Sequence, residues 1–160
     1  MWVHTLLALD HAKNLTQIYN LEDEHSKTLM LSTLCHDLGK ATTSSMVDGR
    51  IHSYKHNVEG KVMTRTLLLK MGISEEKIEG IEDLVNYHMW PTDIYREHLK
   101  EEEDNETVAK GESIPKGSRH SVTHKSFEKI FKKLNPNVTI DDLSFLAEAD
   151  SLGSYAIWLE

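Results

Sequence analysis

The sequence contains a single cysteine, Cys35, so an intramolecular disulfide is excluded and a reducing compartment is expected. No apolar run reaches the length needed to span a membrane. The N-terminus also lacks a basic stretch followed by an apolar stretch and a cleavage site. These absences predict a cytoplasmic protein with no membrane partner.

Positive charge is also scarce, because 18 Lys and Arg residues stand against 26 Asp and Glu residues, giving a formal net charge of -8. This balance argues against a broad nucleic-acid-binding surface. It is compatible with a phosphate-bearing substrate, because bound metal ions supply positive charge locally. The length of 160 residues predicts one domain over residues 1–160 with a core of its own.

Neither an internal repeat nor a pair of alternating strands is found, and apolar residues recur instead at helical spacing. We therefore predict an all-α fold of about seven helices. In the first helix, from Trp2 to about Ile18, the apolar positions are Val3, Leu6, Leu7, Leu9, Leu15 and Ile18. The other clear helices are predicted at about 26–36, 54–70, 75–88, 126–134 and 139–152, with a short one after Pro91.

Capping residues and turn signals set the expected boundaries of these helices. Ser26, Ser74 and Thr139 are the predicted N-caps, and Asp142 completes a capping box with Thr139. Residues 42–53 are predicted to be a loop from their composition, with Asp48-Gly49 as a turn signal. Residues 104–125 are predicted to be a mobile loop or lid, because they lack apolar periodicity and carry Gly111, Pro115 and Gly117. Cys35 is interpreted as a core residue, and His25, His52 and His98 as surface residues.

The most informative stretch is Thr33–Lys40, in which His36 and Asp37 follow an apolar helical run. Burying an imidazole and a carboxylate among leucines is costly unless each has a partner, and a bound cation would satisfy both. Six such residues stand at the ends or inward faces of different predicted helices: His4, His36, Asp37, His56, His88 and Asp150. Asp37 is the natural bridge between two ions, because a carboxylate has two oxygens to offer.

Mixed nitrogen and oxygen ligands suit Mn, Fe, Co, Ni or Zn, and Mg is less well suited beside several imidazoles. Two such ions roughly 3.5–4 Å apart would activate a water and stabilise charge on a phosphoryl oxygen. The pattern therefore predicts two divalent metal ions and hydrolysis of a phosphate ester or anhydride.

Four motifs, "LCHDLGKAT", "DGRIHSYKHNVEG", "NYHMWP" and "LAEADSLG", resemble the HD-domain metal-dependent phosphohydrolases. They are most similar to the HD domain attached to bacterial tRNA CCA-adding nucleotidyltransferases, whose first helix "WVHTLLALDHA" also matches. The resemblance covers roughly residues 2–95 and 126–155. It implies a helical HD domain with phosphomonoesterase and 2′,3′-cyclic phosphodiesterase activity on nucleotides or RNA ends.

The resemblance also assigns roles to single residues. It implies a first metal held by His4, His36, Asp37 and Asp150, and a second held by Asp37, His56 and His88. Attack on phosphorus by a metal-bound hydroxide, with Lys40 holding the phosphate or orienting water, completes the implied chemistry. The motif of the family's catalytic head, a Gly-Ser pair with paired aspartates shortly after it, does not occur in the chain, so nucleotide addition is not available to it alone. It is expected to be a domain of, or a companion to, a nucleotidyltransferase.

Several alternatives remain open from the sequence. His11 shares a helix face with His4 and could replace it as a ligand, and a single metal could be held by the first four ligands alone. Arg119, His120, His124 and Lys125 form a small basic group that is either solvated or part of a substrate-gripping lid. The competing functions are a nucleoside triphosphate or alarmone hydrolase and a metal-containing nucleotide-binding regulatory module with little turnover.

Overall fold

The computed structural model of the chain describes residues 2–110 and 124–155, and for residues 124–127 and 155 the main chain alone. The elements in these ranges are α1 (Trp2–Ile18), α2 (Asp23–Cys35), α3 (Lys40–Thr43), β1 (Ser44–Val47), β2 (Arg50–Ser53), α4 (His56–Lys70), α5 (Glu75–Tyr87), α6 (Trp90–Ala109), α7 (His124–Phe131) and α8 (Ile140–Tyr155). The all-α prediction is confirmed. The described ranges contain eight helical segments, one of them the single turn α3, where about seven were expected.

The chain forms two compact units, each with its own internal contacts. The first comprises the described residues up to His88 together with those from Leu134 onward, and the second comprises Met89–Lys133. All six predicted ligand residues belong to the first unit. None of the helices within the described ranges is both long enough and apolar enough to cross a bilayer. The single domain over residues 1–160 stays a prediction.

One part of the core of the first unit is built by α2, α4 and α5. Its fully buried members are Cys35, Leu68, Ile78, Ile81 and Val85. The three residues of α5 are spaced three and four apart, so they lie on one helix face and point inward. Cys35 is a core residue, also as predicted.

Helices α1 and α8 pack against each other closely enough to need small residues. Ala8 and Ala12 of α1 are fully buried, and a Cβ at Gly153 would lie 2.8 Å from the Ala8 nitrogen. The predicted apolar face of α1 is therefore wrong in part, because Val3 and Leu6 are exposed while the smaller alanines are buried. Gly153 was expected just past the last helix but lies inside α8, where the close approach requires it.

Two of the predicted helix N-caps have different outcomes. Thr139 and Asp142 form the expected capping box, since the Asp142 Oδ2 accepts from the Thr139 nitrogen at 2.8 Å and the Thr139 Oγ1 accepts from the Asp142 nitrogen at 3.1 Å. The predicted cap at Ser26 is wrong, because α2 already begins at Asp23. The Ser26 hydroxyl instead donates to the carbonyl of Leu21 at 3.1 Å.

Residues 44–53 form an antiparallel hairpin where a loop was predicted. Its strands pair Ser44 with Ser53 and Val47 with Arg50 around a turn at Asp48 and Gly49. Both turn residues have positive φ, at 49° and 75°, as a two-residue hairpin turn requires. The strands could not be predicted from the sequence, because most of their residues are exposed on both faces and no apolar–polar alternation marks them.

The expected loop at 104–125 is wrong at its start, because residues 104–109 continue α6 to Ala109. That helix is too polar to show apolar periodicity, and ion pairs four residues apart, such as His98 with Glu102 and Lys110 with Glu106, support it instead. Residues 111–123 lie outside the described residues, and the prediction for them is not addressed. The helix expected at 126–134 is α7, which begins two residues earlier and ends at Phe131.

Candidate metal centre

The first group of ligand-type side chains gathers from three helices. His4 lies in the first turn of α1, His36 directly follows α2, and Asp150 lies on α8. The His4 Nε2 atom is 2.9 Å from Asp150 Oδ1 and 3.1 Å from His36 Nε2. His36 Nε2 is 3.4 Å from the same Asp150 oxygen. Both imidazoles are buried and the carboxylate is mostly so, which makes this a compact group of nitrogen and oxygen donors.

The second group is formed where α4 begins and α5 ends. His56 is the first residue of α4, and His88 is the C-cap of α5. Their Nε2 atoms are 3.3 Å apart, and the His88 side chain is almost completely buried. Both rings therefore present the same nitrogen to one point.

Asp37 stands between the two groups and offers one oxygen to each. Its Oδ2 lies 3.5 Å from His36 Nε2, 3.7 Å from His4 Nε2 and 2.6 Å from Lys40 Nζ. Its Oδ1 lies 3.8 Å from His56 Nε2 and has no hydrogen-bond partner within the described part of the chain. A buried carboxylate oxygen without a partner costs roughly 1–3 kcal/mol or more, so this atom needs a donor or a cation.

Main-chain carbonyls fix the orientation of three of the imidazoles. The Nδ1 atoms of His36, His56 and His88 lie 2.7, 2.9 and 2.6 Å from the carbonyl oxygens of Thr33, Ser53 and Val85. Each carbonyl belongs to the residue three positions earlier, and a carbonyl can only accept, so each Nδ1 carries the proton. In the neutral rings the Nε2 lone pairs then face inward, which is the arrangement that metal-ligating histidines adopt.

The nitrogen and oxygen donors of this centre are of the kind that bind divalent cations. Two neutral imidazoles that point lone pairs at each other across 3.3 Å cannot hydrogen-bond, whereas a cation between them satisfies both. The donor atoms of His4, His36 and Asp37 lie within 4.8 Å of one another, and so do those of Asp37, His56 and His88. Both groups could hold a metal ion, and imidazole with carboxylate suits first-row divalent metals.

Burial and neighbouring charges shift the pKa values of the residues in this centre in different directions. Burial lowers the pKa of His88 to about 4, so this ring is neutral at pH 7. Burial acts in the same direction on His36, but the hydrogen bond to Asp150 and the charges of Asp37 and Asp150 raise the pKa of His36 above its usual value. Against the effect of burial, neighbouring imidazoles hold the pKa values of Asp37 and Asp150 below their usual range, and Lys40 adds to the lowering at Asp37, so both carboxyls are ionised.

Close main-chain contact holds the two groups together. A Cβ at Gly39 would overlap the carbonyl oxygen of His56 and lie 2.6 Å from the Gly60 nitrogen. Only glycine allows this approach, which brings the turn carrying His36 and Asp37 against the start of α4. The φ of Gly39 is an ordinary -64°, so it is close packing, and not a left-handed backbone, that requires glycine here.

All six predicted ligand residues therefore lie in one centre, and Lys40 adjoins it through Asp37. Their roles as ligands stay predictions. His11 lies outside both metal-competent groups of the described residues, whereas His4 belongs to one. Arg119 and His120 lie outside the described residues, and His124 and Lys125 begin α7. The sequence reasoning missed the orienting carbonyls, because a main-chain acceptor leaves no signal in residue identity.

Comparison with known proteins agrees with this fold and centre. The HD domain family matches residues 1–152, and the chain belongs to that family. The family indicates a metal-dependent hydrolase, and the two His/Asp groups provide places where metal could be held.

Two curated relatives carry the name "Multifunctional CCA protein" and come from Actinobacillus pleuropneumoniae serotype 5b (strain L20) and serotype 7 (strain AP76). Each is 34% identical to the chain over 86 residues, which is 54% of this chain and 20% of the relative. The matched part thus spans about a fifth of the length of these relatives. No solved structure gave a significant match.

Proposed function

We propose that the protein hydrolyses phosphomonoesters and 2′,3′-cyclic phosphodiesters of nucleotides or RNA ends in a metal-dependent reaction. The observation that carries this proposal is the position of Asp37, whose two oxygens face two separate histidine groups. One carboxylate shared in this way is the arrangement that a two-metal hydrolytic centre needs. We propose His4, His36, Asp37 and Asp150 as ligands of one ion, and Asp37, His56 and His88 as ligands of the other.

The bound ions would polarise phosphoryl oxygens and lower the pKa of water to near neutrality. The chain contributes orientation, because three imidazoles are fixed by carbonyls and cannot turn away without losing a hydrogen bond. Lys40 keeps its ammonium 2.6 Å from Asp37 Oδ2 with about a third of its side chain exposed. From there it can bind a phosphate oxygen at the edge of the centre.

A covalent route through the one thiol does not fit the structure. Cys35 is fully buried, and burial raises the pKa of its thiol to about 11. A thiol in that state is a poor nucleophile at pH 7. Direct attack by water on phosphorus is therefore the route that the centre supports.

Our proposal for the substrate class rests on the net charge of the chain and on its similarity to known proteins. With a net charge of -8 the protein is poorly suited to grip long nucleic acid, so small nucleotides and chain ends are the better substrates. The partial similarity to proteins named "Multifunctional CCA protein" favours RNA ends. We further propose that the chain works in the cytoplasm as a domain of, or a companion to, a nucleotidyltransferase.

Metal removal and restoration test the proposal directly. The full chain is stripped with a chelator and supplied in turn with Mn, Fe, Co, Ni, Zn or Mg, and hydrolysis of 2′,3′-cyclic AMP and of a nucleoside monophosphate is followed. We expect activity to vanish on chelation and to return with at least one first-row metal. Asp141→Ala, which removes an exposed carboxylate from α8, serves as the unaffected control. A folded, metal-loaded protein that hydrolyses neither substrate would overturn the proposal.

A further inference from the structure

The hairpin of β1 and β2, hereafter the rim hairpin, is fastened to the metal centre at both of its ends. The Ser44 hydroxyl donates to the carbonyl of Lys40 at 2.7 Å, where β1 begins. The Ser53 carbonyl at the end of β2 accepts from Nδ1 of His56 at 2.9 Å. The rim hairpin therefore departs from Lys40 and returns to His56, two residues that both lie near Asp37.

Just beside His56, the rim hairpin leads into a pair of aromatic rings. The rings of His52 and Tyr54 are stacked, with centroids 5.3 Å apart and planes 5° from parallel. Tyr54 is nevertheless 68% exposed within the described part of the chain. With the ring centroids 5.3 Å apart, this stacking leaves most of the tyrosine side chain open to a ligand.

The backbone holds this pair in a costly conformation. Lys55, between Tyr54 and His56, has a φ of 59°, in the left-handed region that residues other than glycine rarely adopt. Such a conformation costs roughly 1 kcal/mol or more and persists only where the surroundings impose it. Here the bond from His56 to the Ser53 carbonyl spans the strained residue, so Tyr54 is fixed in a closed turn beside His56.

Local charge also favours an anionic ligand at this edge. Residues 44–56 contain Arg50 and Lys55 against the single acidic residue Asp48, in a chain whose net charge is -8. Tyr54 and His56 are two residues apart, so their Cα atoms are separated by at most about 7.6 Å. An aromatic ring and the edge proposed to bind phosphate thus lie within one nucleotide of each other, with Lys55 between them in the sequence.

We propose that Tyr54, backed by His52, stacks on the unpaired base of the substrate while its phosphate lies at the metal centre. The substrate class is then a mononucleotide or a single-stranded RNA end, and base-free phosphate esters are bound weakly. Stacking between a base and an aromatic side chain is effective for every base and needs no sequence-specific contact. This inference rests on the proposed function for the position of the phosphate.

A binding measurement separates this inference from turnover. Isothermal titration calorimetry on the full chain with Mn²⁺ would compare two phosphonates in which carbon replaces the scissile ester oxygen, one an analogue of AMP and the other of ribose 5-phosphate. We expect the wild type to bind the AMP analogue about tenfold more tightly than its base-free counterpart, as the usual contribution of one stacked base implies. Tyr54→Ala should abolish this ratio, and Tyr54→Phe should keep it.

Ile51→Ala is the matched control, because Ile51 is 71% exposed in the same hairpin but lies on the opposite face from His52. It should leave the ratio unchanged. The inference is overturned if the wild type shows no preference for the analogue with a base, or if Tyr54→Ala binds both analogues as the wild type does. Equal weakening of both analogues by Tyr54→Ala would also overturn it, because Tyr54 would then act on the centre and not on the base. None of these outcomes depends on hydrolysis.

Discussion

The two ligand groups on either side of Asp37 differ in whether their polar atoms have hydrogen-bond partners when no ion is bound. In the first, Asp150 accepts from His4 and from the His36 ring, whose raised pKa favours the form protonated on both nitrogens, and Lys40 donates to Oδ2 of Asp37. In the second, His56 and His88 face each other with lone pairs, beside the Asp37 oxygen that has no partner in the described structure.

This difference predicts different roles for the two positions. The first group has two carboxylates to offset the charge of an ion, so it should bind metal more tightly. The second has one shared carboxylate and a pair of imidazoles, one of them with a pKa lowered to about 4 by burial. Its polar atoms are not satisfied by hydrogen bonds of their own, but it brings only one shared negative charge, so this position should be the first to lose its ion.

Asp37→Asn should have the largest effect, because Asp37 is the one proposed ligand that the two positions share. We expect loss of both ions and a fall in hydrolysis of more than ~100-fold, since even residues behind metal ligands cost 10–100-fold when replaced. Metal per chain after equilibrium dialysis against Mn²⁺ measures the first outcome. Asp150→Asn is the matched comparison and should lose the first ion alone; identical stoichiometry in the two variants would contradict a bridging role.

His88→Gln should remove the second ion and keep the first. We expect metal content to fall from two ions per chain to one, with hydrolysis reduced by about 10–100-fold. His11→Gln, on a half-buried histidine outside both groups, should change neither quantity. A wild type that already binds a single ion, unaltered by His88→Gln, would favour the mononuclear alternative.

Gly39→Ala should push the two groups apart. The added methyl would collide with the main chain of His56 and Gly60, and overpacking of this kind costs typically 1–3 kcal/mol in the free energy of unfolding. Urea unfolding measures this loss, and metal analysis should show the second ion weakened first. Gly60→Ala is the control from the facing helix, because its methyl would meet Val85 at an ordinary 3.4 Å. Equal stability of the two variants would contradict the close-packing explanation.

Lys40→Met should have the smallest effect, confined to substrate binding at the edge of the centre. Loss of one charge-assisted contact is expected to raise KM about tenfold while kcat and metal content change little. Lys13→Met, which removes an exposed lysine from α1, is the control. A fall in kcat with unchanged KM would assign Lys40 to the reaction step instead of to phosphate binding.

Much of this centre could be predicted from the sequence because helices bring distant residues to predictable faces. The inward stripe of α5 placed His88, and the end of an apolar helix placed His36 and Asp37. The burial of Ala8 and Ala12 in place of Val3 could not be predicted, because close helix packing selects small residues that carry little hydrophobic signal. The rim hairpin was missed for a related reason, since its exposed strands have no buried face to impose a pattern.

The hydrogen bonds from His36, His56 and His88 to their own main chain have an evolutionary consequence. Because the acceptors are carbonyls three residues earlier, no neighbouring side chain has to be kept to hold these rings in their tautomers. Substitutions around the rim can then accumulate without disturbing the rings behind it.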